Sequence, residues 1–256
     1  MPNYSSTKLY ISKKGLIKLP DDIDKYTNLN ILNCSLNKIT SLDNLPNCQL
    51  AGHEDKPLGL PPTLKDLDCS SNEISSLDNL PPTLEILHCD VNQLTNLDNL
   101  PTTLKKLHCR SNKITSLDNL PPTLEFLSCG NNKITSLDNL PHNLKELYCS
   151  NNKITSLDNL PPNLKELYCD YNEITSLDNL PLTLEKLVCS NNQLTSLDNL
   201  PLTLEKLVCS NNQLTSLDNL QTTLEYLKCI CNPLKYDFEP TIKNIRNYNA
   251  SRMLSS

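Results

Sequence analysis

The sequence predicts an α/β-type solenoid, in which short repeats stack along a parallel β-sheet and a helix closes the C-terminal end. Three observations predict it. The tetrapeptide Leu-Asp-Asn-Leu begins at residues 42, 77, 97, 117, 137, 157, 177, 197 and 217, and from Leu77 onward the step is always 20. Around it runs one frame, L-x-x-L-x-C-x-x-N-x-(I/L)-x-x-L-D-N-L-P-x-x, and residues 181–200 and 201–220 are identical. Finally, one 20-residue copy is too small to fold by itself. It offers about six apolar side chains, worth roughly 1.5–3 kcal/mol each when buried. Ordering its backbone costs about 1–2 kcal/mol per residue. Stacked copies share an interior, which is the condition for a solenoid.

Composition fits such a core. The 256 residues include 4 Gly, 2 Phe and no Trp, so aliphatic side chains must fill the interior. The net charge of −6 argues against a general grip on nucleic-acid phosphates or anionic membrane, both of which need clustered positive charge. No apolar run is long enough for a transmembrane helix, and the opening MPNYSSTKLYISKKG lacks the apolar stretch of a secretory signal. A cytoplasmic protein is expected.

Residues 1–28 read as an N-terminal cap or a degenerate first repeat. Leu9, Ile11, Leu16 and Leu19-Pro20 echo the frame, and Lys8, Lys13 and Lys14 supply polar cover for an open sheet edge. Residues 29–234 hold about ten repeats. In the copy that begins at Leu104, the step Leu107–x–Cys109 has the period of two that puts both side chains on one face of a strand. Asn112, Ile114, Leu117, Leu120 and Pro121 follow, with the apolar groups turned to the same interior.

Three ladders result. Cys34, Cys69, Cys89, Cys109, Cys129, Cys149, Cys169, Cys189, Cys209 and Cys229 occupy one core position, with Cys48 and Cys231 outside it. They read as reduced, buried thiols. Neighbours stand roughly 5 Å apart at strand spacing, but side chains aligned on adjacent parallel strands seldom reach disulfide geometry. A spacing of 20 is not that of a zinc site. The Asn ladder, Asn37 and then Asn72 through Asn232, carries amides that satisfy backbone groups at a buried turn. The Asp ladder from Asp43 to Asp218 reads as surface turns in D-N-L-P, each carboxylate accepting nearby N–H groups. A cation row is the weaker reading, because calcium needs several oxygens converging from one loop.

Between Cys34 and Cys69 the frame breaks. Residues 46–60 read as a degenerate copy or a loop excursion. Residues 235–256 read as a C-terminal cap. From Pro240 to Leu254, Ile242, Ile245, Tyr248 or Asn249, and Met253 fall at helical spacing, which predicts a short helix over the last open core.

The frame resembles the leucine-rich repeat family, whose signature is L-x-x-L-x-L-x-x-N-x-L, with Cys here in the third Leu position. The resemblance covers about residues 29–234. The 20-residue length and the L-P-x-x-L junction resemble the short repeats of bacterial effectors secreted into host cells and the repeat proteins of giant viruses of amoebae. The resemblance implies a curved sheet on a concave face and an extended, polyproline-like convex side. It also implies that the positions flanking the strand Leu face the concave side.

These positions vary between copies. Lys65, Glu85, Lys105, Glu125 and Lys145 alternate in sign, which supports lateral pairing between strands. Two further rows, with the positions just beyond the Cys, bring together His88, His108, Arg110, Phe126, Tyr148, Tyr168 and Tyr171. Aromatic, His and Arg side chains on a rigid sheet are of the types enriched at binding hot spots, and an exposed Phe126 is hard to explain by folding alone. They are the predicted partner-binding residues. His88 and His108 follow one another on successive strands. A metal pair would need a third ligand, with Asp90 or Asp68 the candidates, and the reading adopted is no metal and no cofactor.

With no phosphate-cradling, H-E-x-x-H or G-x-S-x-G motif, no catalytic residue is expected. The expected function is a non-enzymatic scaffold, monomeric, binding a protein partner, a host protein if the chain is an effector, with no nucleic acid or membrane partner. The alternative is a substrate-recognition module acting in trans with an enzyme such as a ubiquitin ligase. The 22 residues after Leu234 are too few for a catalytic domain of its own.

Overall fold

The computed structural model describes residues 2–43, 45, 63–218 and 220–253. The irregular segment 46–60 and Cys48 lie outside the described residues. The chain forms two compact units, Met1–Asn132 and Lys133–Ser256.

The first unit carries six strands: β1 (Lys8–Tyr10), β2 (Ile31–Asn33), β3 (Asp66–Asp68), β4 (Ile86–His88), β5 (Lys106–His108) and β6 (Phe126–Ser128). Each pairs in parallel with the next in chain order, and the core Leu residues are in register, Leu67 with Leu87, Leu87 with Leu107 and Leu107 with Leu127. The second unit carries β7 (Glu146–Tyr148), β8 (Glu166–Tyr168), β9 (Lys186–Val188), β10 (Lys206–Val208), β11 (Tyr226–Lys228) and the helix α1 (Ile242–Met253). Its strands are also parallel and in sequence order.

Each strand is only three residues long. The frame explains why. In β2 to β10 the central Leu and the Cys just beyond the strand are buried on the core side, while the residues flanking that Leu project from the opposite face. Two residues past the Cys the backbone turns left-handed, with φ of 55° at Ser71 and Ser111 and 58° at Asn151, so the strand cannot continue. Between strands the described chain runs through turns, with one 3-10 turn over Ile23–Lys25 between β1 and β2. Leu, Ile, Cys and Pro of the frame fill the interior, although Leu100 and Leu120 remain half-buried.

The Asn ladder holds successive copies together. Asn92 Nδ2 donates to the carbonyls of Cys69 at 3.1 Å and of its own Cys89 at 3.2 Å, and Asn92 Oδ1 accepts the Ile74 N–H at 2.9 Å. Asn72, Asn112, Asn172, Asn192 and Asn212 repeat this pattern. One amide thus satisfies donors and acceptors of two copies, which a buried turn would otherwise leave orphaned.

The ends are built differently. At the N-terminus, Leu19 and Ile23 are buried and Asn37 binds the Ile11 carbonyl and the N–H groups of Lys14 and Leu16. At the C-terminus α1 starts at Ile242 rather than at Pro240, because Thr241 is its N-cap: the Thr241 hydroxyl accepts the Asn244 N–H at 3.2 Å. Ile245 is buried, and Arg246 donates to the carbonyls of Thr222 and Leu224. Tyr236, Phe238 and Tyr248 form an aromatic cluster beside the helix. Among the described residues no helix is long and apolar enough to cross a membrane.

Candidate functional site

The face of the strands opposite the core is where copies differ. On it, side chains from adjacent strands stand in lateral rows, because a parallel ladder in register repeats each position about every 4.8 Å. The charged row pairs as its alternating signs predict. Glu85 lies between Lys65 at 3.1 Å and Lys105 at 2.8 Å, and these ammonium groups hold its carboxyl below the usual range. Lys165 pairs with Glu185 at 2.8 Å.

The ring cluster of the first unit joins three of the predicted residues. His88 and His108 stack with centroids 4.3 Å apart and planes 19° from parallel, and Phe126, from the adjoining row, packs diagonally 4.7 Å from His108. Phe126 is therefore not an exposed residue as the sequence implied. It is half-buried, in register with Lys106 and packed diagonally against the His108 ring on the neighbouring strand. Arg110 lies outside the stack. Its side chain is exposed, and its backbone N–H donates to Asp90 Oδ1 at 2.6 Å.

In the second unit Tyr148 and Tyr168 stack at 4.3 Å and 14°, and their hydroxyls reach toward Glu146 and Glu166. Lys186 Nζ sits 4.9 Å from the Tyr168 centroid. Burial, with carboxylates nearby, pushes the Tyr148 phenol well above its ordinary pKa. Tyr171 does not join this stack. It occupies the left-handed turn after Cys169, with φ of 54°, where four other copies have Asn, and it is exposed.

Half-burial, helped by His88, Lys106 and Arg110, lowers the His108 pKa to about 4. Asp90, also half-buried, is raised by desolvation against the opposing pull of the Arg110 N–H. His88, Asp90 and His108 each offer a ligand atom, and those atoms all lie within 4.8 Å of one another. Asp68, the other candidate third ligand, is engaged elsewhere: it accepts from Asn33 Nδ2 at 2.8 Å and from the Ser70 N–H at 3.0 Å.

The ten ladder sulfurs are buried and Cys231 is exposed. Desolvation pushes the thiols up, Cys34 and Cys129 to about 12. The Asp ladder is a row of turns in which the Ser two residues earlier binds each of several Asp carboxylates, and a second partner was missed in the sequence. Among the described residues the Asn of the Asp-Asn pairs from Asn79 to Asn199 takes a left-handed φ near the 62° of Asn99, and in most of them the amide donates to the Asp of the preceding copy. Asn99 binds Asp78 at 2.8 Å and Asn179 binds Asp158 at 3.0 Å. With the Ser76 hydroxyl, Asn99 lowers the Asp78 pKa. The signal for this second amide ladder was the invariable Asn within Leu-Asp-Asn-Leu.

Short parallel strands locked by a buried amide ladder define a repeat protein of the β-solenoid class. The family model described as Leucine Rich repeats (2 copies) matches residues 102–142 and 142–182. No curated protein sequence matches the chain. Among solved structures it is similar to YopM from Yersinia enterocolitica, with 32% identity and a TM-score of 0.60 over 91% of this chain and 60% of that one. It is similar to the functional domain of InlJ from Listeria monocytogenes, a domain that includes a cysteine ladder, with 34% identity and a TM-score of 0.67 over 91% of this chain and 55% of that one. A Shigella effector LRR domain is 30% identical over 67% of this chain and 72% of that one, with a TM-score of 0.53. The chain thus spans little more than half the length of the first two. It belongs to the leucine-rich repeat family, with repeats of 20 residues.

Proposed function

We propose that this chain is a non-enzymatic protein-interaction scaffold that binds a protein partner through the outward face of its strands, the face expected to be concave. The observation that carries this reading is the placement of the rings. The interior is filled by Leu, Ile, Cys and Pro. His88, His108 and Phe126 in one unit, and Tyr148 and Tyr168 in the other, lie on the opposite face, where the hydrophobic core does not require them. Half-buried aromatic rings on a rigid frame present apolar area at little entropic cost, the property of hot-spot residues. Arg110 and Tyr171 flank these rows as exposed polar and aromatic contacts. The likeness to a Shigella effector domain favours action in the cytoplasm of a host cell, and the chain is read as a monomer.

The test is a triple substitution, Phe126→Ala, Tyr148→Ala and Tyr168→Ala. Circular dichroism and urea unfolding should show a retained fold, while proteins captured by the wild-type chain from host-cell lysate should no longer be retained. An unchanged set of captured proteins overturns the reading.

A further inference from the structure

We infer that His88, Asp90 and His108 form a binding site for a divalent cation of the zinc class on the outward face of the first unit. The two directions of the sheet build it. Along the chain, His88 and Asp90 flank the inward Cys89, so the period of two sends both to the same face. Across the sheet, His88 and His108 are ladder partners. Three donors from positions 2 and 20 residues apart therefore meet at one corner, with ligand atoms within 4.8 Å of one another.

The donor atoms are open. Among the described residues no group hydrogen-bonds a ring nitrogen of His88 or His108, and Asp90 spends only Oδ1, on the Arg110 N–H. That bond orients the carboxylate and leaves Oδ2 available, the arrangement by which outer partners fix a metal ligand. Two imidazoles and a carboxylate are the donor set of zinc, with nickel and copper as competitors. Donors about 2.0–2.1 Å from a tetrahedral ion stand roughly 3.4 Å from one another, inside the 4.8 Å limit within which these three lie. The local charge permits a cation: around His108 and Asp90 the positive Lys106 and Arg110 are offset by Asp68 and by Asp90 itself. Other copies lack the set. The positions of His88 and Asp90 are held by Ser128 and Gly130, Tyr148 and Ser150, and Val188 and Ser190 in later repeats.

The site is tested on the full chain, stripped with EDTA, kept reduced with a phosphine and titrated with Zn2+ against a chromophoric chelator. One ion per chain is expected. His88→Gln, His108→Gln and Asp90→Asn should each weaken binding by at least about tenfold, since even outer partners of a metal ligand cost that much. His53→Gln, His142→Gln and Cys231→Ser should leave it unchanged. Urea midpoints of the apo variants show that each is folded. Proton resonances of two imidazoles should shift on zinc addition, and those resonances should be missing from the His88 and His108 variants. Absence of binding, affinity within twofold of wild type in His108→Gln, or loss that follows Cys231→Ser or His53→Gln overturns the site. Partner capture by the triple ring variant does not bear on this outcome, so the two proposals fail separately.

Discussion

Each ladder thiol sits where other members of its signature place Leu, and its chemistry follows from that burial. A desolvated sulfur with a raised pKa carries almost no thiolate near neutral pH. Iodoacetamide should modify exposed Cys231 readily. The ladder sulfurs should react at least about a hundredfold more slowly, at a rate set by local opening, with peptide mapping as the readout. His108 makes the complementary case. Its ordinary pKa is about 6.5 and its folded value about 4. Between these values the unfolded chain binds the extra proton, so folded stability falls as pH drops through that window. Above it the residue adds nothing to the slope. An NMR titration of the metal-free chain should place the His108 midpoint near 4; a midpoint at the ordinary value would contradict the burial argument. The identity of both residues was plain in the sequence, and their environments differ for a reason it also contained: Cys points inward and His outward on a three-residue strand.

The strand-and-turn element depends on two amides with unlike roles. Asn92 is buried and serves four backbone groups of two copies. Asn92→Ala leaves those groups unpaired and should cost about 2–5 kcal/mol in urea unfolding, from about 1–3 kcal/mol for each orphaned group. Asn99 is exposed, and its left-handed φ matters as much as its bond to Asp78. Asn99→Gly keeps that backbone accessible and should cost under about 1 kcal/mol. The opposite change is available at Val91, a β-branched residue held at φ of 54°. Four other copies place Asn there, so Val91→Asn should raise stability by about 1 kcal/mol, by relieving left-handed strain. A lowered urea midpoint in that variant would show that the turn is not strained. The buried ladder was read from its spacing. The second was not, because nothing local indicates that Asn99 reaches back 21 residues to Asp78.

For the whole molecule the governing property is repetition. Stability in a solenoid is close to a sum of copies and their interfaces. Deleting residues 181–200, a copy identical to the next, should leave a cooperatively folding chain with a smaller urea m-value, since m scales with the surface exposed on unfolding. Loss of cooperativity would mean that the second unit needs that copy for more than length. The ends are not interchangeable in this way, because Ile245 and the Thr241 cap occur once.

The sequence by itself determined the period, the parallel stacking, the inward Leu and Cys, the structural Asn and the terminal helix. These depend on separations of a few residues, which are visible along the chain. Only the tertiary structure decided which outward residues meet. Lateral neighbours are 20 residues apart in sequence but one strand spacing apart in space, and whether they stack, pair or stay exposed depends on side-chain direction. That is why Phe126 proved half-buried, why Arg110 and Tyr171 fell outside the stacks, and why Asp90 rather than Asp68 stands open beside the two imidazoles.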